Sequence, residues 1–345
     1  MRFCVETLGC KVNQYETQAI ANILVSRGHE RAEAGENCDV CIVNTCAVTA
    51  ESARKSRQAV RRLKKAEPGA LIAVCGCLSQ LDPPAMKALG ADLIGGSGDR
   101  RRFALETEQL FKCKNRNNGD ELESCAMEHS AGQDSLTAEQ NHYETPLRPS
   151  GVAPERTCFE DLEPETSEPL QSGWQPGNQT DNQTDSRIAG SHDNQSSGDP
   201  TSDPESRFTG VRTRALLKIQ DGCDNYCAYC VIPYARGRSR SLPAGRAAEL
   251  ARRLAERGYL EIVITGIEIA AYGKDSECGD TLTGALRGIS EAAPGVRLRL
   301  GSLDPRAVTE GFCRDMRAIP ALCDHFHLSL QSGCDDTLRR DSAWS

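Results

Sequence analysis

The chain has no apolar run long enough to cross a bilayer, and its first residues do not form the hydrophobic core of a secretion signal. We therefore expect a cytoplasmic protein with no membrane partner. Because reducing compartments keep thiols unpaired, the 17 cysteines of this 345-residue chain are expected to be metal ligands or plain thiols rather than disulfides.

The chain also lacks a positive net charge, and its formal value of −8 would ordinarily argue against a nucleic-acid partner. The acidity is concentrated in residues 112–207, which carry 7 basic and 19 acidic groups. Residues 1–111 carry 15 basic and 13 acidic groups, and residues 208–345 carry 19 and 17. Both flanking segments are slightly positive and therefore compatible with a nucleic-acid partner.

The acidic segment 112–207 has few β-branched aliphatic residues and is rich in Asn, Gln, Ser, Gly and Pro. Such a composition cannot bury enough apolar surface to offset the entropy of ordering, so we predict a disordered insert that is dispensable for folding. Cys113, Cys125 and Cys158 lie in it without short metal-ligand spacing, so no third metal site is expected. The insert separates an N-terminal domain, residues 1–111, from a second domain, residues 208–345.

Residues 1–111 alternate between strand and helix patterns, which predicts a parallel sheet. The expected elements are strands at Phe3–Leu8, Val40–Asn44 and Ala70–Val74, and helices at Asn13–Arg27 and Thr49–Glu67.

Three cysteines follow these strands: Cys10, Cys46 and Cys77. The carboxyl ends of parallel strands share one edge of a sheet, where ligands bind, so the three thiols are expected to meet in a metal-cluster site. Four other cysteines, Cys4, Cys38, Cys41 and Cys75, lie within or before strands and are interpreted as small buried hydrophobes. The alternative is that all seven are core thiols.

The predicted helix Thr49–Glu67 carries a run of basic side chains: Arg54, Lys55, Arg57, Arg61, Arg62, Lys64 and Lys65. Two interpretations are open, a solvated helix face and a surface that contacts RNA phosphates.

In the second domain, Cys223, Cys227 and Cys230 follow the strand pattern 213–219 at C-x3-C-x2-C spacing. Structural zinc requires four ligands, and no further Cys or His is near these three. Three thiolates suit a [4Fe-4S] cluster with one open iron. The alternative is a structural loop, or a zinc site with a distant fourth ligand.

The βα alternation continues after this loop. We predict a helix from Pro243 to Arg257, a strand Leu260–Thr265, a helix over 281–292, a strand Val296–Leu300, a helix from Asp304-Pro305 and a fourth strand His325–Leu330. The cysteine loop, Gly266, Ser302 and Gln331 all follow strands, which is where a (β/α) barrel has its active site. The fold class is therefore α/β, an open parallel-sheet domain plus an incomplete (β/α) barrel, joined by the disordered segment.

Four stretches carry a resemblance to the radical SAM (S-adenosylmethionine) methylthiotransferase family. They are Leu8–Asn13, Val43–Cys46, Gly76–Gln80 and 220–237, in which Tyr229 takes the aromatic place before the last cysteine. The stretches beginning at Thr265, Leu300 and Leu328 most resemble the branch that acts on N6-threonylcarbamoyladenosine in tRNA.

The resemblance implies two [4Fe-4S] clusters, one on Cys10, Cys46 and Cys77 and a radical SAM cluster on Cys223, Cys227 and Cys230. In the family the open iron of the second cluster binds SAM, which is cleaved to a 5′-deoxyadenosyl radical. The first cluster holds the sulfur to be transferred. Tyr229, Gly266, Ser302 and Gln331 would line the SAM pocket.

The implied function is methylthiolation of C2 of N6-threonylcarbamoyladenosine at position 37 of tRNA, by a monomer that receives electrons from a donor such as flavodoxin or ferredoxin. Alternatives are a family target such as isopentenyladenosine in tRNA or a ribosomal-protein aspartate, an iron–sulfur protein without radical chemistry, and an inactive truncated product. Family members continue beyond Arg340 into further strands and an RNA-binding β-barrel. A truncated core without that barrel is expected to modify tRNA poorly.

Overall fold

The computed structural model describes residues 1–116, 214–276 and 278–341. The predicted insert, 112–207, lies outside the described residues except for 112–116, which complete a helix. Within the described ranges, no helix is long and apolar enough to span a membrane.

The first unit is a five-stranded parallel sheet with helices on both faces. Its elements are β1 (Arg2–Thr7), α1 (Lys11–Ser26), β2 (Glu30–Arg31), β3 (Val40–Thr45), α2 (Ala50–Ala66), β4 (Leu71–Gly76), α3 (Cys77–Leu81), α4 (Pro83–Ala88), β5 (Leu93–Ile94) and α5 (Arg100–Arg116). The strand order is β2-β1-β3-β4-β5, and every pairing is parallel.

The central strands β3 and β4 are buried along their whole length, as expected for a parallel sheet covered on both faces. Alternate residues of each strand face α1 and α5 on one side and α2 on the other. The predicted strands and helices of this unit are confirmed, and Cys4, Cys38, Cys41 and Cys75 are buried in its cores.

The second unit begins in the described residues at Arg214. Its elements are β6 (Ala215–Lys218), β7 (Gln220–Asp221), α6 (Ile232–Arg236), β8 (Arg240–Ser241), α7 (Ala244–Glu256), β9 (Glu261–Thr265), a 3-10 turn (Ile269–Ala271), α8 (Leu282–Ala292), β10 (Arg297–Leu300), β11 (Ser302–Leu303), a 3-10 turn (Pro305–Ala307), α9 (Glu310–Arg317), β12 (His327–Leu328) and α10 (Asp335–Arg340).

Strands β6, β9 and β10 form a parallel sheet in the order β10-β9-β6. The helices α7 and α8 cover one of its faces, where Leu217, Leu250, Leu286 and Leu298 meet in a common core. Two βα units of this kind confirm the α/β class of the second unit.

The predicted fourth strand, His325–Leu330, is wrong in its extent. Only β12 is a strand, and it pairs with β11 in a separate two-stranded ladder. Residues 324–328 are exposed, so neither face of this segment is buried against a core. A strand without a buried face gains little from extension, which accounts for its short length.

The predicted helix at Asp304-Pro305 is two elements. The first is the 3-10 turn, in which the Asp304 side chain accepts a hydrogen bond from the backbone N–H of Arg306. The second is α9, which the Thr309 side chain caps by accepting from the N–H of Phe312. A second capping residue inside the predicted segment thus starts a new helix.

The two units pack directly against each other. Helix α3 of the first unit lies on α6 of the second, and the hydroxyl of Ser97 donates to the backbone carbonyl of Ala235. Ser97 belongs to the glycine-rich run Gly95–Gly98.

Candidate functional site

The first cysteine triplet lies at the carboxyl edge of the first sheet. Cys10 caps α1 after β1, Cys46 directly follows β3, and Cys77 is the first residue of α3 after β4. Since β1, β3 and β4 are adjacent, the three cysteines lie along one edge of the sheet.

Two glycines allow the backbone to pass close to this triplet. Gly9 has φ +98°, and a Cβ there would lie 2.7 Å from the Cys46 Sγ. Gly76 has φ +104°, and a Cβ there would lie 2.4 Å from the Thr45 carbonyl oxygen. Any side chain at either position would meet both a strained backbone and a steric clash.

The three thiols differ in exposure. Cys46 and Cys77 are buried, whereas Cys10 is exposed. Ser56 of α2 fixes the backbone of Cys46, because its hydroxyl accepts from the N–H at 3.0 Å and donates to the carbonyl at 3.0 Å. Burial raises the pKa of Cys77, and the nearby positive charge of Arg236 opposes that rise.

The second triplet lies on the loop between β7 and α6. The loop turns at Gly222, where φ is +70° and an added Cβ would lie 1.9 Å from the Arg238 carbonyl oxygen. The N–H of Cys223 donates to the Gly237 carbonyl, and that of Cys230 donates to the Cys227 carbonyl. Cys223 is buried, while Cys227 and Cys230 are partly exposed.

Burial dominates the acid–base properties of this loop. It raises the pKa of the Cys223 thiol to about 11 and also raises that of Cys230. Burial, together with the neighbouring Cys227 thiol, raises the pKa of the Tyr229 phenol to about 12. The Tyr229 ring is 52% exposed, so it lies at the rim of the site.

One cysteine of the first triplet meets the second triplet at the contact between the units. Cys77 of the first and Cys223 of the second belong to one buried apolar cluster with Ile232 and Ala235 of α6. Ala47, Leu81, Cys230 and Ile267 pack around that cluster. Sequence reasoning placed each triplet within its own unit, but it did not predict that the two sites would adjoin.

A buried ionic network joins the elements that carry the two triplets. Arg236 of α6 donates from Nη1 to Glu16 at 2.8 Å and to Asp221 at 3.0 Å, and from Nη2 to the Asn13 side chain at 2.7 Å. Arg100 and Lys218 also bind the Glu16 carboxylate. Burial would raise the pKa of Glu16, but these three cations hold it well below its ordinary value.

Gln220 ties the second cysteine loop to the loop after β9. Its Nε2 donates to the carbonyls of Asp221 and Gly222 and to the Ser239 hydroxyl. Its Oε1 accepts from the N–H groups of Ile267 and Glu268 at 3.0 and 2.7 Å. These bonds hold the segment after Gly266 against the cysteine loop, and a Cβ at Gly266 would lie 3.0 Å from Gln220.

Glu268 is a charged residue near the second triplet that the sequence reasoning missed. Burial and the nearby Asp304 raise the pKa of its carboxyl, and its Oε1 accepts from the N–H of Ala270. The Glu268 charge also contributes to the raised pKa of Cys223. A carboxyl at this place offers hydrogen-bonding oxygens to a ligand beside the cysteine loop.

The remaining predicted site residues lie at the exposed end of the second unit. The Ser302 hydroxyl is 3.0 Å from the His327 Nδ1, which bridges β11 and β12. Gln331 is exposed after β12.

The donor set fits iron–sulfur clusters better than single metal ions. Across the described ranges, no three His, Cys, Asp or Glu side chains converge closely enough to hold one metal ion. The thiolates that hold a four-iron cluster lie farther apart than those that hold a single metal ion, because each thiolate binds a different iron. Each unit supplies three cysteines for such a cluster, Cys10, Cys46 and Cys77 in the first and Cys223, Cys227 and Cys230 in the second.

Asn13, Glu16 and Arg236 also escaped the sequence reasoning as site residues. A signal did exist for Glu16, because a carboxylate stands on the buried face of α1 among Val12, Ala19 and Ile20. A charge in such a position requires a buried partner. The identity of that partner, 220 residues away, is visible only in the fold.

Two family models match the chain, one in each unit. Residues 2–96 match a family described as uncharacterized protein family UPF0004, and residues 217–343 match the radical SAM superfamily. A radical SAM methyltransferase, TsrM from Kitasatospora setae, superposes with a TM-score of 0.47 at 16% identity, over 98% of this chain and 61% of that chain.

Relatives are found among threonylcarbamoyladenosine tRNA methylthiotransferases. Those of Bacillus subtilis, Thermotoga maritima and Treponema pallidum are 29%, 30% and 30% identical, each over 97% of this chain. The chain spans 58%, 59% and 67% of the length of these relatives, respectively.

The chain has a parallel-sheet unit followed by a radical SAM unit, and each unit carries a cysteine triplet. This combination places the protein in the class of radical SAM proteins with a second cysteine-lined site. Within that class, the chain belongs to the radical SAM methylthiotransferase family, in the branch of the threonylcarbamoyladenosine relatives.

Proposed function

We propose that this chain methylthiolates C2 of N6-threonylcarbamoyladenosine at position 37 of tRNA. The observation that carries the proposal is the meeting of the two cysteine triplets in one apolar cluster, Cys77 with Cys223. A transferase that moves a sulfur group from one centre to a substrate activated at another needs the two centres close together.

Cys10, Cys46 and Cys77 would hold one [4Fe-4S] cluster, and Cys223, Cys227 and Cys230 the other. When bound, the second cluster would supply the electron for reductive cleavage of SAM. We propose that residues 1–111 and 208–345 form the two domains that carry these sites, with 112–207 between them.

The chain's own residues would orient the ligands and exclude water. Gln220 holds the backbone after Gly266 beside the cysteine loop. This backbone would form one preorganised side of the SAM pocket. Glu268, with its raised pKa, would bind the polar end of SAM, and Tyr229 would cover the loop from the rim. Ser302 and Gln331 are assigned to the outer part of the same pocket.

For tRNA binding, the basic helix α2 is the surface we assign. Arg54 and Lys55 pair with Glu51, and Arg62 pairs with Glu6. Arg61 and Lys65 are exposed, and Arg57 is half-buried beside them. The helix starts at Ala50, four residues after Cys46, so RNA bound along it through its phosphates would reach the cluster site. The chain is further proposed to be a cytoplasmic monomer that receives electrons from a flavodoxin or ferredoxin.

Anaerobic reconstitution tests the cluster assignment. We expect about eight irons per chain, since each triplet should bind a four-iron cluster. Replacing Cys223, Cys227 and Cys230 together by Ala should halve the iron and abolish SAM cleavage. The matched control replaces Cys4, Cys38 and Cys41, three buried thiols of the first unit, by Ser or Ala and should retain the iron.

Three outcomes separate the alternatives. Stoichiometric zinc without iron would falsify the cluster assignment. Iron without SAM cleavage would indicate an electron-carrying protein. SAM cleavage without 2-methylthio-N6-threonylcarbamoyladenosine, measured by mass spectrometry of tRNA from an expressing strain that lacks its own enzyme, would point to another substrate.

A further inference from the structure

The buried network between the units contains more cations than anions. Arg100, Arg236 and Lys218 are each at most 3% exposed, and in the part of the chain that the structure describes they pair with two buried carboxylates, Glu16 and Asp221. Arg240 adds a fourth cation at the edge, 3.7 Å from Asp221. A low-dielectric interior makes such an unbalanced positive charge costly unless a further anion lies nearby.

Arg236 is the member of the network that reaches the first triplet. Its Nε is buried and has no hydrogen-bond partner among the described residues. Its Nη2 binds the Asn13 side-chain oxygen, which lies 3.8 Å from the Cys10 Sγ. Its charge also acts on the Cys77 thiol, in the same apolar cluster as Ala235.

We propose that Arg236 is a positioning residue of the first triplet, whose buried guanidinium balances the anionic group that Cys10, Cys46 and Cys77 bind. This inference rests on the proposed function, because it takes that group to be an iron–sulfur cluster. A cation beside a cluster stabilises its reduced, more negative state and so raises its reduction potential. Arg236 belongs to the second unit, so the two units must be docked for the first cluster to have its normal potential.

The competing explanation is that Arg236 only holds the units together. Arg100 is the matched control for that role. It is equally buried and binds the same Glu16 carboxylate at 2.9 Å, but its other contact is the Gly96 carbonyl. Losing either arginine should destabilise the fold, whereas only the loss of Arg236 should change the cluster.

The experiment uses the full chain with Cys223, Cys227 and Cys230 replaced by Ala, so that only the first triplet can be loaded. Arg236→Gln, Arg236→Lys and Arg100→Gln are made in this background and checked for folding by circular dichroism. Iron per chain and the midpoint potential, followed by electron paramagnetic resonance, are measured for each. Should Arg236→Gln not fold, the charge is removed with Arg236→Met, which is compared with Arg100→Met instead.

We expect Arg236→Gln to lower the midpoint potential and to shorten the lifetime of the cluster against a chelator several-fold. Arg236→Lys, which keeps the charge, should restore most of the potential, and Arg100→Gln should leave it unchanged. Equal shifts in the Arg236 and Arg100 variants, or no shift in either, would overturn the inference while the proposed function stands. Failure of the background protein to bind iron at all would overturn both.

Discussion

Gly76 joins the end of β4 to Cys77 and combines two constraints. Its φ is +104°, and an added Cβ would lie 2.4 Å from the Thr45 carbonyl oxygen. Gly28 has a similar φ of +83° but no atom within 4 Å of the added Cβ. A comparison of substitutions at the two glycines therefore separates the energetic cost of backbone strain from that of a steric clash.

We expect Gly28→Ala to lower the free energy of unfolding by about 1 kcal/mol, the cost of a left-handed conformation. Gly76→Ala should cost roughly 3 kcal/mol or more, because backbone atoms of two strands must also move apart. Urea denaturation of the apo-chain measures both. Equal costs for the two variants would show that the edge of the sheet adapts to the extra carbon.

Helix α2 is connected to the site through Ser56, whose hydroxyl bonds both backbone groups of Cys46. We expect Ser56→Ala to cost about 1 to 3 kcal/mol, since buried backbone groups lose their partner. Cys46 should then move, so the iron bound by the first triplet should fall. Iron analysis of the reconstituted variant measures this.

Thr49→Ala is the control on the same helix. Thr49 forms a capping box with Ser52 at the start of α2 and does not bond Cys46. Its loss should cost about 1 kcal/mol and leave the iron unchanged. If the two variants lost iron equally, the stability of α2 rather than the Ser56 contact would govern the site.

The long elements were predictable because their signals are local. Strand β3 reads as a continuous apolar run since both its faces are buried, and the amphipathic pattern of α7 specifies the face it packs. The strand predicted around β12 was too long, because a hydrophobic pattern does not reveal whether other elements pack over the strand. The short strands β2, β5, β7 and β8 have only two residues each, too few for any periodicity.

The positions of Cys10, Cys46 and Cys77 were predictable for a similar reason, since a residue that follows a strand of a parallel sheet lies at a defined edge. The Arg236 network was not predictable. Its contacts join residues as much as 223 positions apart, and no local pattern specifies how two units dock.

At the scale of the whole molecule, Glu16 is the residue on which the docking of the units depends. It binds Arg100 from its own unit, and Lys218 and Arg236 from the other. We expect Glu16→Gln to destabilise the chain by about 3 to 5 kcal/mol, because it leaves buried cations without their counter-charge. Thermal unfolding measures the loss.

The surface pair Arg252 and Glu256 provides a comparison. These side chains are 51% and 56% exposed on α7, and Glu256→Gln should change the stability by less than about 0.5 kcal/mol. A Glu16→Gln effect as small as that would mean that the network rearranges or admits water.

The Glu16 carboxylate, which is shared between the units, also limits how this chain can vary. A recombinant that joined residues 1–116 to the second half of a distant relative would place Glu16 against whatever that relative carries in place of Lys218 and Arg236. Unless those cations came with it, the hybrid would bury an uncompensated negative charge beside its sulfur centre. The two halves are therefore not interchangeable modules, and substitutions at Glu16 can be tolerated only together with compensating ones across the interface.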